Sequence, residues 1–306
     1  MTSNPIQVTD VTKRFGDVQA LDGVSLTVGR GEMFGLIGHN GAGKSTLFKL
    51  MLGLMPPSGG EIRIHGALTS GRDFRQARRR IGYLPESFVT YDNLTGLEVL
   101  QLFADLKQVP RAECGAILER VGLSHAAGRR VRGYSKGMRQ RLGFAQVLLG
   151  NPDLIFLDEP TNGLDPEGIH DFYRILREVK SQGATIIITS HILAEIQERV
   201  DRLVILNSGR IAAQGTLSQL RAQMVLPSVI ELGLHPGQGQ RIQGALTQVP
   251  GLEMEFGEDR ARIACPQGHK LAVLGIVSGL ADAVHDIVVH EPSLEDLFLG
   301  YGGGNV

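Results

Sequence analysis

The stretch GHNGAGKST, from Gly38 to Thr46, has the spacing G-x-x-x-x-G-K-[ST] of a loop built to hold phosphates. Gly38, Gly41 and Gly43, with Asn40 among them, let the chain wrap so tightly that consecutive backbone N–H groups face an anion, and the following helix adds its own unpaired donors. Lys44 brings a point charge to the outer phosphates, and Ser45, next to Thr46, can offer a hydroxyl to Mg²⁺. A dinucleotide fingerprint fails here, because Thr46 stands where the third glycine of G-x-G-x-x-G is needed.

LIFLDEP is an apolar run ending on two adjacent carboxylates, Asp158 and Glu159. An acid at the edge of a core costs free energy unless a cation or donor meets it. Beside a nucleotide, Asp158 can hold Mg²⁺ and Glu159 can polarise the attacking water. In TIIITSH, His191 follows another apolar run and joins the same group, contacting the outer phosphate or orienting the water. Asp165, in NGLDP, turns the chain after the acid pair. Ser135 in YSKGMRQRLG is a good N-cap, with Gly137 keeping the first turn open for a phosphate. A second phosphate-gripping helix in a chain that already has one suggests a twofold dimer, in which Ser135 and Gly137 of one subunit cover the nucleotide held by Lys44 of the other.

These groups need a scaffold. EMFGLIG, LIFLD and TIIITS are short apolar runs, as expected for strands of a parallel sheet covered on both faces. IQVTDVTKRFG, LDGVSLTVGRG and GEIRIHG alternate and read as an antiparallel sheet. From about residue 82 to 151 strand signals fade, and LTGLEVLQLFADL, CGAILERVG and KGMRQRLGFAQVLLG carry helical spacing, which predicts an inserted helical lobe. VDRLVILNSGRIAAQG reads as a hairpin and LSQLRAQM as a short helix. The first domain is expected to span residues 1–224. Residues 225–306 read β-α-β-β-α-β, a small α+β unit of ferredoxin-like type.

Composition sets the outer bounds. The 306 residues are 42% hydrophobic, and 31 Lys+Arg against 32 Asp+Glu leave a net charge of -1, without the basic excess of a nucleic-acid binder. Two cysteines, Cys114 and Cys265, exclude a disulfide-dense scaffold. The start has no basic and apolar leader pattern, and no run reaches the ~18 apolar residues of a membrane span. A cytoplasmic chain is expected, with membrane contact through partners.

From Ile6 to about Leu220 the phosphate loop, YSKGM, LIFLDEP, NGLD and SH stand in the order and spacing of the ABC transporter ATPases, a family the chain closely resembles. The resemblance implies ATP hydrolysis with Mg²⁺, a homodimer, and polytopic permease subunits at the cytoplasmic face of the membrane. It also implies that Phe15 stacks on adenine and that Glu86 lies in the loop sensing the outer phosphate and joins Ser45 and Asp158 near Mg²⁺. The lobe from Tyr91 to Leu106 would receive the permease. Three positions depart from the family: Phe15 for the commoner Tyr, YSKGM for LSGGQ with Lys136 at the mouth, and Glu86 for the usual Gln.

GYLPE, HAAGRRVRGYSKGMRQRLG and EPSLEDLF resemble the subgroup that serves small permeases of the drug, haem or copper-processing kind. Within it the nearest likeness is to the ATPase of the copper-processing system for nitrous oxide reductase maturation, which implies a periplasmic partner reached through the permease. Alternatives are a drug- or haem-type exporter ATPase, a permease-free regulatory ATPase, and a module that closes on ATP without turnover. Cys265, His269, His285, His290 and Met254 are scattered soft-metal donors whose ordinary reading is residues on strands and turns.

Overall fold

The computed structural model describes residues 4–223 and 227–290. The expected boundary between residues 224 and 225 and the tail motif at 291–298 lie outside the described residues. The chain divides into two compact units, Met1–Leu217 and Ser218–Val306.

The first unit opens with the hairpin β1 (Ile6–Phe15) and β2 (Val18–Val28). It continues through β3 (Met33–Ile37), α1 (Lys44–Met51), β4 (Gly59–Ile64), β5 (Ala67–Leu68), α2 (Phe74–Arg78) and β6 (Ile81–Leu84). A helical lobe follows, with α3 (Gly96–Lys107), α4 (Glu113–Arg120) and α5 (Lys136–Leu148). β7 (Leu154–Asp158), α6 (Pro166–Ser181), β8 (Thr185–Ser190), α7 (Leu193–Ile196), β9 (Arg202–Asn207) and β10 (Arg210–Gly215) complete the unit. One sheet is antiparallel, in the order β2-β1-β4-β5, and the other runs β10-β9-β3-β8-β7-β6. The second sheet is parallel from β9 to β6, with β10 added by a hairpin.

Burial follows the two sequence patterns. β1 buries Ile6, Val8 and Val11, whereas β3, β7 and β8 are buried at every position. Phe48 of α1 meets Phe156 of β7 edge to face, centroids 5.4 Å apart, so the helix after the phosphate loop is pinned to the strand that carries the acids. Ser208 and Gly209, both at positive φ, make the tight turn from β9 to β10.

Two elements differ from expectation. β6 falls inside the segment expected to be helical, and it is the edge strand paired with β7. Its signal is weak because it is four residues long and contains Gly82, which the packing requires: a Cβ there would lie 2.7 Å from Val147 Cγ1 and 2.9 Å from Val147 O on α5. The helix α1 begins at Lys44 and stops at Met51, short of the end of the apolar run TLFKLMLGLM that predicts it, because Gly53 takes a left-handed φ of 62°.

In the lobe, Thr95 and Glu98 form a capping box at the start of α3. At its end, Lys107 Nζ donates to the carbonyls of Gln146 at 2.7 Å and of Val147 and Leu149 at 3.4 Å, covering the C-terminal end of α5. Burial pushes the Lys107 pKa down to about 8.

After α8 (Leu217–Gln223), the second unit runs β11 (Ser228–Leu234), α9 (Gly239–Leu246), β12 (Glu253–Phe256), β13 (Arg260–Cys265), α10 (Lys270–Ser278) and β14 (Val284–His290). Its sheet, ordered β12-β13-β11-β14, is antiparallel at every pairing. This is the ferredoxin-like α+β arrangement the element order predicts. Ile230, Leu232, Ile263, Ile242, Leu246, Val273 and Val277 form its own core between sheet and helices. No described helix is long and apolar enough to cross a membrane.

Candidate functional site

The phosphate loop runs from the end of β3 to the start of α1 and lines a cavity of about 390 Å³. Two of its glycines are required by close approach. A Cβ on Gly38 would stand 2.6 Å from Leu206 O, and one on Gly43, at φ 107°, would stand 2.8 Å from Ala20 O and Leu21 Cδ2. Gly43 is the N-cap of α1 and no side chain caps that helix, so no capping side chain competes with an anion for the N–H groups of its first turn.

Asn40, Gly41, Gly43, Lys44, Ser45 and Thr46 line this cavity with Glu86, Glu159 and His191. Gly38 is buried just behind, its carbonyl accepting from Lys44 Nζ at 2.5 Å, while His39 O accepts from the same ammonium at 3.3 Å. Lys44 Nζ also stands 3.8 Å from Glu159 Oε1. Burial lowers the Lys44 pKa, and the charges of Glu159, Asp158 and Glu86 oppose that shift.

Asp158 is buried at the end of β7 and does not line the cavity itself. Burial raises its pKa; a hydrogen bond from Thr189 works against this, and Glu86 and Glu159 add to it. Glu159 turns out of the strand at φ 47°, a left-handed conformation unusual for a glutamate. His191 Nδ1 lies 2.8 Å from its Oε2. The donor set suits a divalent cation: the Ser45 hydroxyl and the carboxylates of Glu86 and Glu159 line one cavity, and a cation held there would relieve the cost of burying Asp158.

The remaining expected residues lie elsewhere. Phe15 is half exposed and is not part of the cavity wall, which there consists of Val18, Gln19 and Ala20. Phe15 pairs with Val18 across the hairpin turn, so its ring stands beside the mouth, with Lys13 Nζ 5.1 Å from its centroid. Ser135, Gly137 and Asp165 line a separate cavity of about 540 Å³ together with Lys136, Gly163 and Leu164. Ser135 accepts from Met138 N at 3.2 Å as the N-cap of α5, and Asp165 accepts from Gly168 N at 3.0 Å as the N-cap of α6. Within one chain, the two phosphate-competent helix starts therefore do not share a cavity.

Sequence reasoning missed three buried polar side chains. Gln140 donates to Pro160 O at 2.8 Å, and Gln146 donates to Tyr83 O at 2.7 Å. One helix, α5, is thereby tied to the backbone just after Glu159 and to the strand that leads into Glu86. Thr189 is the third, bonded to both Asp158 and Glu159. Its signal was present: a hydroxyl inside an apolar strand needs a partner.

A family model described as ABC transporter matches residues 21–162. An uncharacterized ABC transporter ATP-binding protein of Nostoc sp. is 46% identical over 209 residues, which is 66% of this chain and 62% of that protein, less than two thirds of its length. Daunorubicin resistance ATP-binding protein DrrA3 of Streptomyces coeruleorubidus is 33% identical over 311 residues, covering 99% of this chain and 97% of that one. The chain belongs to the ABC transporter ATP-binding family. A solved ATP-binding subunit of an ABC transporter is 37% identical to this ABC protein and superposes with a TM-score of 0.67, covering 71% of this chain and 92% of that one. The first unit is thus a P-loop ATPase of ABC type, whose cofactors are ATP and Mg²⁺.

Proposed function

We propose that this ABC ATPase powers a transporter of the drug-resistance kind, as a homodimer held at the cytoplasmic face of the membrane by polytopic permease subunits. The alignment with the daunorubicin resistance protein carries this reading, since it runs through both units rather than the ATPase unit alone. It favours the drug-exporter alternative over the NosDFY-type copper-processing system suggested by the sequence motifs, because neither relative named above is linked to copper or to nitrous oxide reductase.

In this reading the amides of the phosphate loop and Lys44 hold the triphosphate, and the ring of Phe15 covers the base. Ser45, Asp158 and Glu86 would hold Mg²⁺, which would supply positive charge to neutralise the phosphates. Glu159 accepts the proton of the attacking water, and His191 orients Glu159 through its Nδ1 hydrogen bond. Ser135, Gly137 and Asp165 act on the nucleotide of a second copy, which is supported by their separate cavity.

The test is deletion in the source organism, with affinity purification of the full-length chain from detergent-solubilised membranes and mass spectrometry of what comes with it. A polytopic permease and increased sensitivity to amphipathic antibiotics are expected. Unchanged antibiotic sensitivity together with loss of nitrous oxide reductase maturation would favour the copper-processing system.

A further inference from the structure

Thr189 stands on β8 directly opposite Asp158 of β7, and none of it is exposed. Its hydroxyl makes two bonds of opposite sense: Oγ1 donates to Asp158 Oδ1 at 2.6 Å and accepts from the backbone N–H of Glu159 at 2.9 Å. A threonine hydroxyl has one proton. Once that proton is spent on Asp158, the remaining lone pairs can serve only donors, and the Glu159 amide is the donor in reach.

The need for this bond arises where β7 ends. Asp158 is the last residue in register with β8, and Glu159 departs at φ 47°, a conformation that costs a non-glycine residue roughly 1–2 kcal/mol. At that departure the Glu159 N–H turns to the Thr189 hydroxyl. In a buried setting an unmade bond costs about 1–3 kcal/mol, so the amide needs an acceptor, and Thr189 serves as one while also fixing the preceding carboxylate.

We propose that Thr189 is a positioning residue for ATP hydrolysis, a single hydroxyl that sets the Asp158 carboxylate and the turn carrying Glu159 in one geometry. The inference rests on the roles given above to Asp158 at the metal and Glu159 at the water. It adds a shared support: metal and water geometry depend on one atom of a neighbouring strand. Without the hydroxyl, the Asp158 side chain is free to rotate and the Glu159 turn loses its tether, so both functions should fail together while the phosphate loop stays intact.

The test compares full-length wild type with Thr189→Val, which keeps the shape and removes the hydroxyl, and Thr189→Ser, which keeps the hydroxyl and removes a methyl. The measurements are ATP binding in EDTA, Mn²⁺ affinity in the presence of ATP by electron paramagnetic resonance, kcat and KM for ATP, and thermal unfolding. Thr189→Val should bind ATP in EDTA as wild type does, while metal affinity and kcat fall ~10–100-fold, the usual effect of losing a group that orients a metal ligand. Thr189→Ser should restore both. If the valine chain does not fold, Thr189→Ala takes its place in the same comparison. Wild-type metal affinity and kcat without the hydroxyl would overturn the proposal, as would a serine variant as impaired as the valine one. Asp158→Asn and Glu159→Gln are measured alongside. If these two stay active, the roles assigned to the acids fail; if they are inactive and Thr189→Val is normal, only the role of Thr189 fails.

Discussion

His191 Nδ1 and Glu159 Oε2 are 2.8 Å apart, joining the end of β8 to the end of β7 across the nucleotide cavity. A carboxylate only accepts, so Nδ1 carries the hydrogen and Nε2 is left for another partner. In the proposed mechanism the pair separates two roles: Glu159 takes the proton and His191 holds Glu159 in place.

Glu159→Gln should separate binding from chemistry. The amide keeps an acceptor for His191 but loses the charge that polarises water. ATP binding and ATP-dependent dimerisation are expected to persist, while steady-state turnover falls ~10²–10⁴-fold. Turnover within a few-fold of wild type would move the role to Glu86 or His191, which line the same cavity.

Lys44→Ala removes the ammonium that bonds Gly38 O and His39 O and approaches Glu159. Mg-ATP affinity should fall about 10- to 100-fold, the worth of one charged hydrogen bond. Equilibrium titration with a fluorescent ATP analogue measures it, and wild-type affinity would remove Lys44 from the phosphate site.

The separation of Ser135 from the Lys44 cavity makes a prediction about mixed dimers. A Lys44→Ala chain and a Ser135→Arg chain should each be inactive alone. Mixing them should restore ATP turnover, because one of the two composite sites then has an intact Lys44 and an intact Ser135. No recovery, with mixed dimers verified by mass, would indicate that each chain hydrolyses ATP without its partner's Ser135.

Lys107→Met should destabilise the first unit by ~1–3 kcal/mol, since it leaves the carbonyls of Gln146, Val147 and Leu149 without their donor. The effect should depend on pH. The folded value of about 8 lies below the ordinary 10.5, so between these values the unfolded chain binds more protons and the wild-type contribution rises with pH. Urea unfolding monitored from pH 7 to 10 should therefore show the gap between wild type and variant widening. A gap that narrows would mean that Lys107 is not held at a lowered pKa.

A fragment ending at residue 217 should fold and bind ATP, because the first unit has its own core and the second a different one. Circular dichroism and nucleotide titration check this, and an insoluble fragment under all conditions would show that the units depend on each other for folding.

The sequence by itself determined the phosphate loop, the acid pair, the N-cap serine and the β-α-β-β-α-β order of the second unit. Each lies within a few consecutive residues, where bond geometry fixes the outcome: a G-K-S-T turn before an apolar helix leaves its amides facing outward whatever surrounds it. β6 was illegible because α5 requires the glycine that weakens its strand signal, as the Gly82 to Val147 approach shows. The bonds from Thr189 to Asp158 and Glu159, from Gln140 to Pro160 and from Gln146 to Tyr83 join residues 20 to 63 positions apart. Only strand register and helix packing bring such pairs together, so tertiary structure decided which buried polar groups hold the acids and that Ser135 and Lys44 face different cavities.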